Sequence, residues 1–429
     1  MGCRLKPVVV ESPPHMSPEI TLTIHRATTQ IGGNCIELST NTGSRIVLDV
    51  GRPLDAPSEA VGLLPRSLDV SRPVDGVLIS HPHQDHYGLL NEVPKHWPVY
   101  SGPAAAKLMA ITAQMTGAAP PADLRAWESG RTIQVGEFRI TPLLTDHSAF
   151  DAYMLLIETG GRRVLYTGDF RSHGRKASLV QHLMAAPPPD IDVLLMEGTN
   201  LGSSKPVMTE SDLEGDFLAL FKRTQGRVYV AWSAQNIDRT VTIYRACKRA
   251  GRELVVDLYT AQVLRMLSEH GSIPQPGWPG LKVLITSRFS RMYRGKGDDA
   301  FVDEMAQHGI SVRAFSRMPN AVCMIRPSLI DDLEMGGVRP SSDDSWSFSM
   351  WKGYLADSQG SRLHEWFEQA RAPAQHIHTS GHASPDDLRA FSMSINPKAL
   401  VPIHGLAWDE QQSGFPTIKR LKDGEPWAI

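Results

Sequence analysis

The chain has 429 residues, which is enough for two domains of ordinary size or for one large domain that carries an inserted one. Hydrophobic residues make up 41% and charged residues 21%, a soluble globular composition, and no apolar run approaches the roughly 20 residues that a bilayer-spanning helix needs. The formal net charge of -2 gives no global reason to expect a nucleic acid partner, so a polyanion site would have to come from local clusters of Lys and Arg.

The cysteines and the first residues of the chain bear on where the protein is located. The cysteines are few, scattered and without a C-x-x-C pair, which favours a reducing compartment and a cytoplasmic location; they are Cys3, Cys35, Cys247 and Cys323. Residues 1–18 contain four prolines and no long apolar segment. They predict a flexible leader and not a secretory signal.

Residues 19–205 alternate short β-type runs with glycine-rich turns. Several runs, such as I-V-L-D-V-G and D-G-V-L-I-S, are apolar and stop at polar residues, as buried strands do. A helix rich in Ala and Met is predicted from Pro103 to about Met115. Two groups of strands interleaved with helices predict a four-layer α/β sandwich.

The pattern changes between residues 206 and 373. Helical segments there alternate with apolar strands, which is typical of βαβ units and a parallel sheet, so we expect a separate α/β domain. Residues 374–429, beginning with a predicted strand H-I-H-T-S-G-H, would complete the first domain. The run S-F-S-M-W-K-G-Y around Trp351 and Tyr354 is interpreted as core packing, with a stacking surface for bases as the alternative.

The segment H-P-H-Q-D-H brings His81, His83, Asp85 and His86 together within six residues after a buried strand. Residues i and i+2 of an extended segment share a side, so His81 and His83 can bind one ion, and the following turn can direct Asp85 and His86 to a second. Zinc binds imidazole nitrogen and carboxylate oxygen, and manganese also accepts such ligands. The alternative, four unrelated surface polar residues, is hard to reconcile with so specific a spacing.

This segment, H-P-H-Q-D-H-Y-G, resembles the signature of the metallo-β-lactamase superfamily. The resemblance implies an αββα sandwich that binds two Zn²⁺ ions, with Mn²⁺ as another possibility. It implies that Asp49, which closes I-V-L-D-V-G, orients the ligand loop from behind. It also implies that His147 in T-D-H-S-A is the third ligand of the first ion, and that Asp169 in T-G-D-F bridges both ions.

The remaining expected ligand, His404 in P-I-H-G, lies 404 − 169 = 235 residues beyond Asp169. The additional sequence resembles the β-CASP domain inserted into nucleases of the RNase J and polyadenylation-factor type. Glu197 in L-L-M-E-G-T resembles motif A of this family and His382 in T-S-G-H-A-S resembles motif B. The resemblance implies that His382 protonates the leaving oxygen and that Glu197 holds the His382 ring. Asp85 is also expected to be catalytic. The neighbours of His382 would contact substrate: Ser380, Gly381, Ala383 and Ser384.

Three further sets of residues are candidates for binding a nucleic acid strand. In S-A-Q-N-I-D-R, Asn236 and Arg239 match the S-N-I-x-R pattern of RNase J, whereas Gln235 stands where Ser is usual. The second set combines phosphate-binding charge with aromatic faces, a plain surface loop being the alternative; it comprises Arg288, Arg291, Arg294, Lys296, Phe289 and Tyr293. The third set could flank the cleft beside Asp169; it comprises Arg171, Arg175 and Lys176.

We therefore hypothesise a phosphodiesterase that hydrolyses RNA through a dinuclear zinc-bound hydroxide, as an exonuclease, an endonuclease or both. The partner would be a single-stranded nucleic acid, with no membrane partner and with a homodimer possible. One alternative is a metallohydrolase of small esters, lactones or thioesters, and another is a DNA-directed nuclease of the same family. A non-catalytic RNA-binding subunit is also conceivable, but it would lack ligands, and none is missing.

Overall fold

The computed structural model describes residues 19–57, 59–118, 123–356 and 358–429, so the predicted leader lies outside the described residues. The first strands in chain order are β1 (Ile20–Arg26), β2 (Cys35–Thr40), β3 (Arg45–Val50), β4 (Gly76–Leu78), β5 (Val99–Ser101), β6 (Leu124–Ala126), β7 (Ile133–Val135), β8 (Phe138–Thr145), β9 (Ala152–Thr159), β10 (Arg162–Tyr166) and β11 (Val193–Met196). The later strands are β12 (Val228–Ala231), β13 (Leu254–Asp257), β14 (Leu281–Ile285), β15 (Gly309–Ser311), β16 (Val322–Met324), β17 (Ser345–Phe348), β18 (Ala374–Gln375), β19 (Ala399–Pro402) and β20 (Pro426–Ala428).

Helices connect most of these strands. They are α1 (Gln84–Tyr87), α2 (Pro103–Thr116), α3 (Ala177–Ala185), α4 (Glu210–Arg223), α5 (Ile237–Ala250), α6 (Leu258–Met266), α7 (Ser287–Gly295), α8 (Asp299–Ala306), α9 (Val312–Phe315), α10 (Ile330–Met335), α11 (Ser358–Gln369) and α12 (Pro385–Ile395). Short 3-10 turns cover Ser268–His270, Pro327–Leu329 and Lys352–Leu355. Among the described residues, no helix combines the length and the apolar character that crossing a bilayer would require.

Two sheets face each other across the first core. One has the strand order β20-β1-β2-β3-β4-β5-β6 and the other the order β19-β11-β10-β9-β8-β7. Because side chains alternate along a strand, β10 directs Val164 and Tyr166 into the space between the sheets and Leu165 to the opposite face. The strands therefore need apolar residues on both faces, which explains why they read as continuous hydrophobic runs.

Helices cover the outer faces of both sheets. Helices α3 and α12 pack on the second sheet, where Val180 and Phe391 join the cluster that contains Leu165. Helix α2 and the α1 region cover the first sheet, through Met109 and Tyr87. The layers are thus helix, sheet, sheet and helix, which confirms the predicted αββα sandwich.

A third sheet lies in the inserted part of the chain. Its order is β15-β14-β13-β16-β12-β17-β18, and all of its paired strands are parallel. Both faces are buried: Val228 and Val230 join one hydrophobic cluster, and Tyr229 and Ala231 join another. The predicted parallel α/β insert is therefore confirmed. Helix α2 of the sandwich also contributes Leu108 to the first of these clusters, so the insert packs on the sandwich.

The end of the insert differs in detail from the prediction. Strand β18 pairs with β17 through residues 374–375, just past the predicted end of the insert at residue 373. Residues 376–382 form no strand, contrary to the prediction for H-I-H-T-S-G-H. The reason is that this segment is held by side-chain contacts in place of a ladder, for example His376 Nε2 at 3.0 Å from Met350 O and Thr379 Oγ1 donating to Met208 O at 2.7 Å.

Candidate active site

The predicted ligands lie where strands of the two facing sheets end. Asp49 is near the end of β3, and His81 and His83 follow β4, leading into α1 with Asp85 and His86. His147 follows β8, Asp169 follows β10, Glu197 follows β11 and His404 follows β19. Rigid strands fix where each side chain begins, which a precise metal site requires.

Two clusters of donor atoms form at this place. One donor atom each from His81, His83 and His147 lies within 4.8 Å of the others, and the same holds for Asp85, His86, Asp169 and His404. The two clusters are adjacent, since His81 Nε2 lies 3.7 Å from Asp169 Oδ2. Within these two clusters, three buried ring nitrogens have no hydrogen-bond partner among the described residues: His81 Nε2, His147 Nδ1 and His404 Nε2. Unpartnered buried nitrogens are rare, and a divalent cation would satisfy donors of this kind.

The histidines of the first cluster are suited to metal binding in their neutral form. Burial lowers the pKa of His83 to about 4, and burial followed by the neighbouring His86 holds the pKa of His81 well below its ordinary value. Burial also lowers the pKa of His147 strongly, with His83 as the next cause. A neutral imidazole offers a lone pair, so these rings can bind a cation without first releasing a proton.

The second cluster carries negative charge in a buried place. His404 Nδ1 lies 2.6 Å from Asp169 Oδ1, and His86 Nε2 lies 3.1 Å from Asp169 Oδ2. Burial opposes the charged forms of both rings, yet Asp169 and the neighbouring carboxylates together outweigh it and raise the pKa of His404 to about 10 and that of His86 well above normal. Buried carboxylates require positive partners, which protons or a divalent ion can provide. The donor set therefore fits a second metal ion.

Asp49 lies behind the candidate ligands and orients one of them, His86. It is fully buried and accepts hydrogen bonds from the Ser80 amide at 2.7 Å, the Ser80 hydroxyl at 2.7 Å, His86 Nδ1 at 2.7 Å and the Tyr166 hydroxyl at 2.5 Å. Because Nδ1 of His86 faces Asp49, its Nε2 is directed at the metal cluster. Asp49 and His404 also adopt positive φ angles of 56° and 48°, a strained conformation that concentrates at functional sites.

Glu197 and His382 form a pair beside the second cluster. His382 Nδ1 lies 3.0 Å from Glu197 Oε2 and 3.6 Å from Asp169 Oδ2. Glu197 is fixed in turn, since its Oε1 accepts from the Phe170 amide at 2.9 Å. Burial lowers the pKa of His382, but Glu197 and then Asp169 outweigh it and raise this pKa above the ordinary value. The contact through Nδ1 leaves Nε2 as the nitrogen that can meet a ligand.

The loop that carries His382 is held tightly against the sandwich. Asn200 Nδ2 donates to Ser380 Oγ and to the carbonyl of His382, both at 2.9 Å. The Ala383 amide donates to Phe170 O at 2.6 Å, and Ser384 caps α12. A Cβ atom at Gly381 would lie 3.2 Å from His147 Cε1 and overlap Ser148, so only glycine permits this approach to the ligand.

Residue-pattern reasoning missed three members of this site: Ser80, Tyr166 and Asn200. Each had a signal in its position along the chain, because Ser80 precedes the ligand segment, Tyr166 ends the strand before Asp169, and Asn200 follows Glu197 by three residues. Their importance depends on contacts between distant parts of the chain, which only the fold reveals.

Two residues predicted to contact substrate have structural contacts within the insert, where Arg239 is buried and Asn236 is half-buried. Arg239 is fully buried, and its guanidinium binds Glu210 Oε1 at 3.1 Å and the Ser349 carbonyl at 3.0 Å. Asn236 caps α5, its side chain accepting from the Arg239 amide at 3.0 Å. The match to S-N-I-x-R therefore has a structural explanation in a helix start and a buried ion pair.

The basic segment around residue 290 is helix α7, which differs from the surface loop considered as the alternative. Arg288, Arg291 and Arg294 are exposed, but Arg294 already pairs with Asp299 at 2.8 Å and Asp303 at 2.6 Å. Tyr293 is completely buried, so the expectation that it offers a face to bases is wrong. Tyr293 lies on the apolar face of an amphipathic helix, and this face is directed to the core.

Arg171 does not flank a cleft but joins the sandwich to the insert. It is fully buried and pairs with Asp146 at 3.3 Å, next to the ligand His147, and with Asp238 of α5 at 2.6 Å. Its Nη1 also lies 3.6 Å from Glu210 of α4. A buried guanidinium needs several carboxylates, and here they come from both parts of the chain. Arg175 and Lys176 are half-buried beside it.

Comparison with known proteins supports the same assignment. The family model described as the metallo-beta-lactamase superfamily matches residues 28–194. Ribonuclease J of Helicobacter pylori (strain B128) is 24% identical over 394 residues, which are 88% of this chain and 54% of that protein. Ribonuclease J of Sinorhizobium meliloti is 23% identical over 378 residues, covering 82% of this chain and 63% of that protein. The chain thus spans little more than half the length of these curated relatives.

A solved structure has the same fold over almost the whole chain. It is described as a protein of unknown function from Enterococcus faecalis V583, and it aligns with a TM-score of 0.76 and 19% identity, covering 96% of this chain and 100% of its own. At that identity the likeness concerns the fold. Residues 28–194 thus match the metallo-beta-lactamase superfamily, and most of the chain is similar to ribonuclease J proteins.

Proposed function

We propose that this protein is a metal-dependent phosphodiesterase that hydrolyses RNA. The observation that carries the proposal is the position of Asp169, whose carboxylate contacts both His404, at 2.6 Å, and His382, at 3.6 Å. A metal-ligand cluster and a carboxylate-held histidine therefore adjoin one another. That combination suits a reaction in which a phosphate is polarised on one side and a leaving oxygen is protonated on the other.

We propose zinc or manganese ions as the cofactors, one held by His81, His83 and His147 and one by Asp85, His86 and His404, with Asp169 between them. Bound there, such ions would supply Lewis acidity at the phosphate and lower the pKa of a water molecule. Asp85, the most exposed of the carboxylates, can in addition orient that water by accepting a hydrogen bond.

His382 would supply the proton. With Nδ1 held by Glu197, a proton on Nε2 can pass to the oxygen that leaves phosphorus, and the ring then regains a proton from solvent. Glu197 acts through His382, because it is completely buried and fixes the orientation of the ring. Residues 206–373 would serve as the β-CASP domain that covers the site, and the ribonuclease J relatives support RNA as the substrate.

The test is hydrolysis of end-labelled RNA and DNA oligonucleotides, each with a 5′-phosphate or a 5′-hydroxyl, followed by sizing of the products. We expect cleavage of RNA by the metallated protein, loss of cleavage with a chelator, and recovery with Zn²⁺ or Mn²⁺. Product sizes separate exonuclease from endonuclease activity. Hydrolysis of lactones or thioesters with indifference to RNA would overturn the proposal.

A pair of variants tests the acid. His382→Ala should lose RNA turnover while its metal content stays at the parental level. His182→Ala, an exposed histidine on α3, is the matched control and should cleave RNA at the parental rate. If His382→Ala also cleaves at the parental rate, His382 is not the proton donor.

A further inference from the structure

Two aromatic side chains stand out because they are exposed, contrary to the core packing predicted for them. Trp351 is 60% exposed and Tyr354 is 52% exposed. They contact each other edge to face, with ring centroids 5.4 Å apart and an interplanar angle of 89°. Large aromatic rings rarely remain in solvent as a neighbouring pair unless they meet a partner.

The backbone around this pair is built to hold the rings. Trp351, Lys352, Gly353 and Tyr354 lie at a 3-10 turn, and the Tyr354 amide donates to Trp351 O at 3.1 Å. A Cβ atom at Gly353 would overlap the Trp351 ring, so the indole lies directly against the glycine. A Cβ at Gly360 of α11 would overlap the Tyr354 carbonyl, so the helix also fits closely against the turn.

The pair is connected to the candidate active site. Met350, directly before Trp351, accepts a contact from His376 Nε2 at 3.0 Å, and Ser349 donates to Ile377 O at 2.5 Å; this is the segment that leads to His382.

Positive charge accompanies the rings. Lys352 lies between them in sequence and is exposed. Exposed aromatic rings with an adjacent lysine are the combination that binds single-stranded nucleic acid, with bases on the rings and phosphates on the cation.

We propose that Trp351 and Tyr354, with Lys352, form a stacking subsite for an unpaired base of the strand whose phosphate lies at the metal clusters. This inference rests on the proposed function, because it requires a nucleic acid substrate. A base stacked there must be out of a duplex, so the subsite selects single strands. The subsite also requires that the strand carry a base, whereas phosphate contacts can be made with any nucleic acid backbone.

The test is the affinity of the metallated protein for a short fluorescent single-stranded RNA and for the same RNA with abasic residues. Fluorescence anisotropy measures it in chelator-free buffer, at a low temperature at which the RNA is not cleaved. We expect the parental protein to prefer the base-containing strand, and Trp351→Ala or Tyr354→Ala to weaken its binding about five- to hundredfold, as loss of one stacked base does. Affinity for the abasic strand should stay within about twofold. Trp351→Phe should retain most of the preference, and Trp278→Ala, a partly exposed tryptophan elsewhere on the insert, is the control.

Hydrolysis of a phosphodiester strand built from abasic residues, which offers no aromatic ring to stack, distinguishes the two proposals. We expect the Trp351→Ala and Tyr354→Ala variants to hydrolyse it at the parental rate. Parental RNA affinity in both variants would overturn the subsite while leaving the nuclease proposal intact. If the variants bind RNA with parental affinity but no longer form a dimer that the parental protein forms, the rings belong to a contact between two copies of this chain. A parental protein that neither binds RNA nor hydrolyses the abasic strand would overturn both proposals.

Discussion

Replacing Asp49 by Asn should weaken metal binding although Asp49 is not itself in either donor cluster. Its Oδ2 accepts from the Ser80 hydroxyl, His86 and Tyr166, and its Oδ1 accepts from the Ser80 amide. An amide side chain has only one oxygen, so at least one of these four donors must face an NH₂ group. A buried donor left unpaired costs about 1–3 kcal/mol, and the remaining bonds lose the roughly twofold strength that charge gives them.

The consequence for the metal follows from His86. Without a carboxylate at Nδ1, the ring is no longer held in the tautomer and orientation that direct Nε2 at the second cluster. Removal of such a supporting partner lowers metal affinity by about 10- to 100-fold, or about 1.4–2.8 kcal/mol. A competition titration of the chelator-treated protein with a chromogenic zinc chelator measures this change. Asp343→Asn, an exposed carboxylate of the insert, is the control and should bind as the parental protein does.

The reasoning would be refuted by Asp49→Asn protein that is folded and binds zinc with parental affinity. Such a result would mean that packing alone orients His86. A variant that is unfolded at room temperature is distinguished by circular dichroism, and Asp49→Glu then provides a second test, since it keeps the charge but displaces the carboxylate from its four donors.

Three further predictions concern the fold around the site. Arg239 and Arg171 outweigh burial and lower the pKa of Glu210 from 4.5 to about 2, so this carboxylate contributes about 3 kcal/mol to the free energy of unfolding above pH 4.5, most of which is lost as the pH falls toward 2. Urea unfolding should show that Glu210→Gln lowers the free energy of unfolding at pH 7 and lowers it less at pH 3. An equal loss at both pH values would contradict this. Gly174→Ala should lower the free energy of unfolding by about 1–3 kcal/mol, because a Cβ there would overlap the Arg171 guanidinium. Gly215→Ala should raise it by about 0.5–1 kcal/mol, because Gly215 is exposed inside α4 with nothing within 4 Å of an added Cβ. Urea midpoints of either glycine variant that move the other way would contradict the packing described here.

The candidate ligands His81 to His86 could be predicted from their spacing, whereas His147, Asp169 and His404 were expected from the resemblance to the metallo-β-lactamase superfamily. His81 to His86 occupy one segment, and the carboxyl ends of neighbouring strands meet at the same edge of a sheet. The parallel insert was likewise evident from its alternating helices and strands. Periodicity and spacing are local properties, and these features depend on them.

Exposure and pairing could not be predicted in the same way. Arg171 and Arg288 look alike in sequence, yet Arg171 is buried because carboxylates from three distant segments converge on it, whereas Arg288 remains on the surface. Trp351 follows an apolar strand and was therefore expected in the core. The 3-10 turn at Lys352–Leu355 instead leaves the Trp351 ring in solvent, and the conformation of this turn depends on the helix packed against it.

The proposed function requires that seven side chains hold a pair of divalent ions at one place. Calorimetric titration of the chelator-treated protein with Zn²⁺ tests it most directly, with His404→Ala as the comparison. The account predicts about two equivalents bound per chain in the parental protein and about one with high affinity in the variant. Binding of no ion by the folded parental protein, or an unchanged titration for His404→Ala, would contradict it.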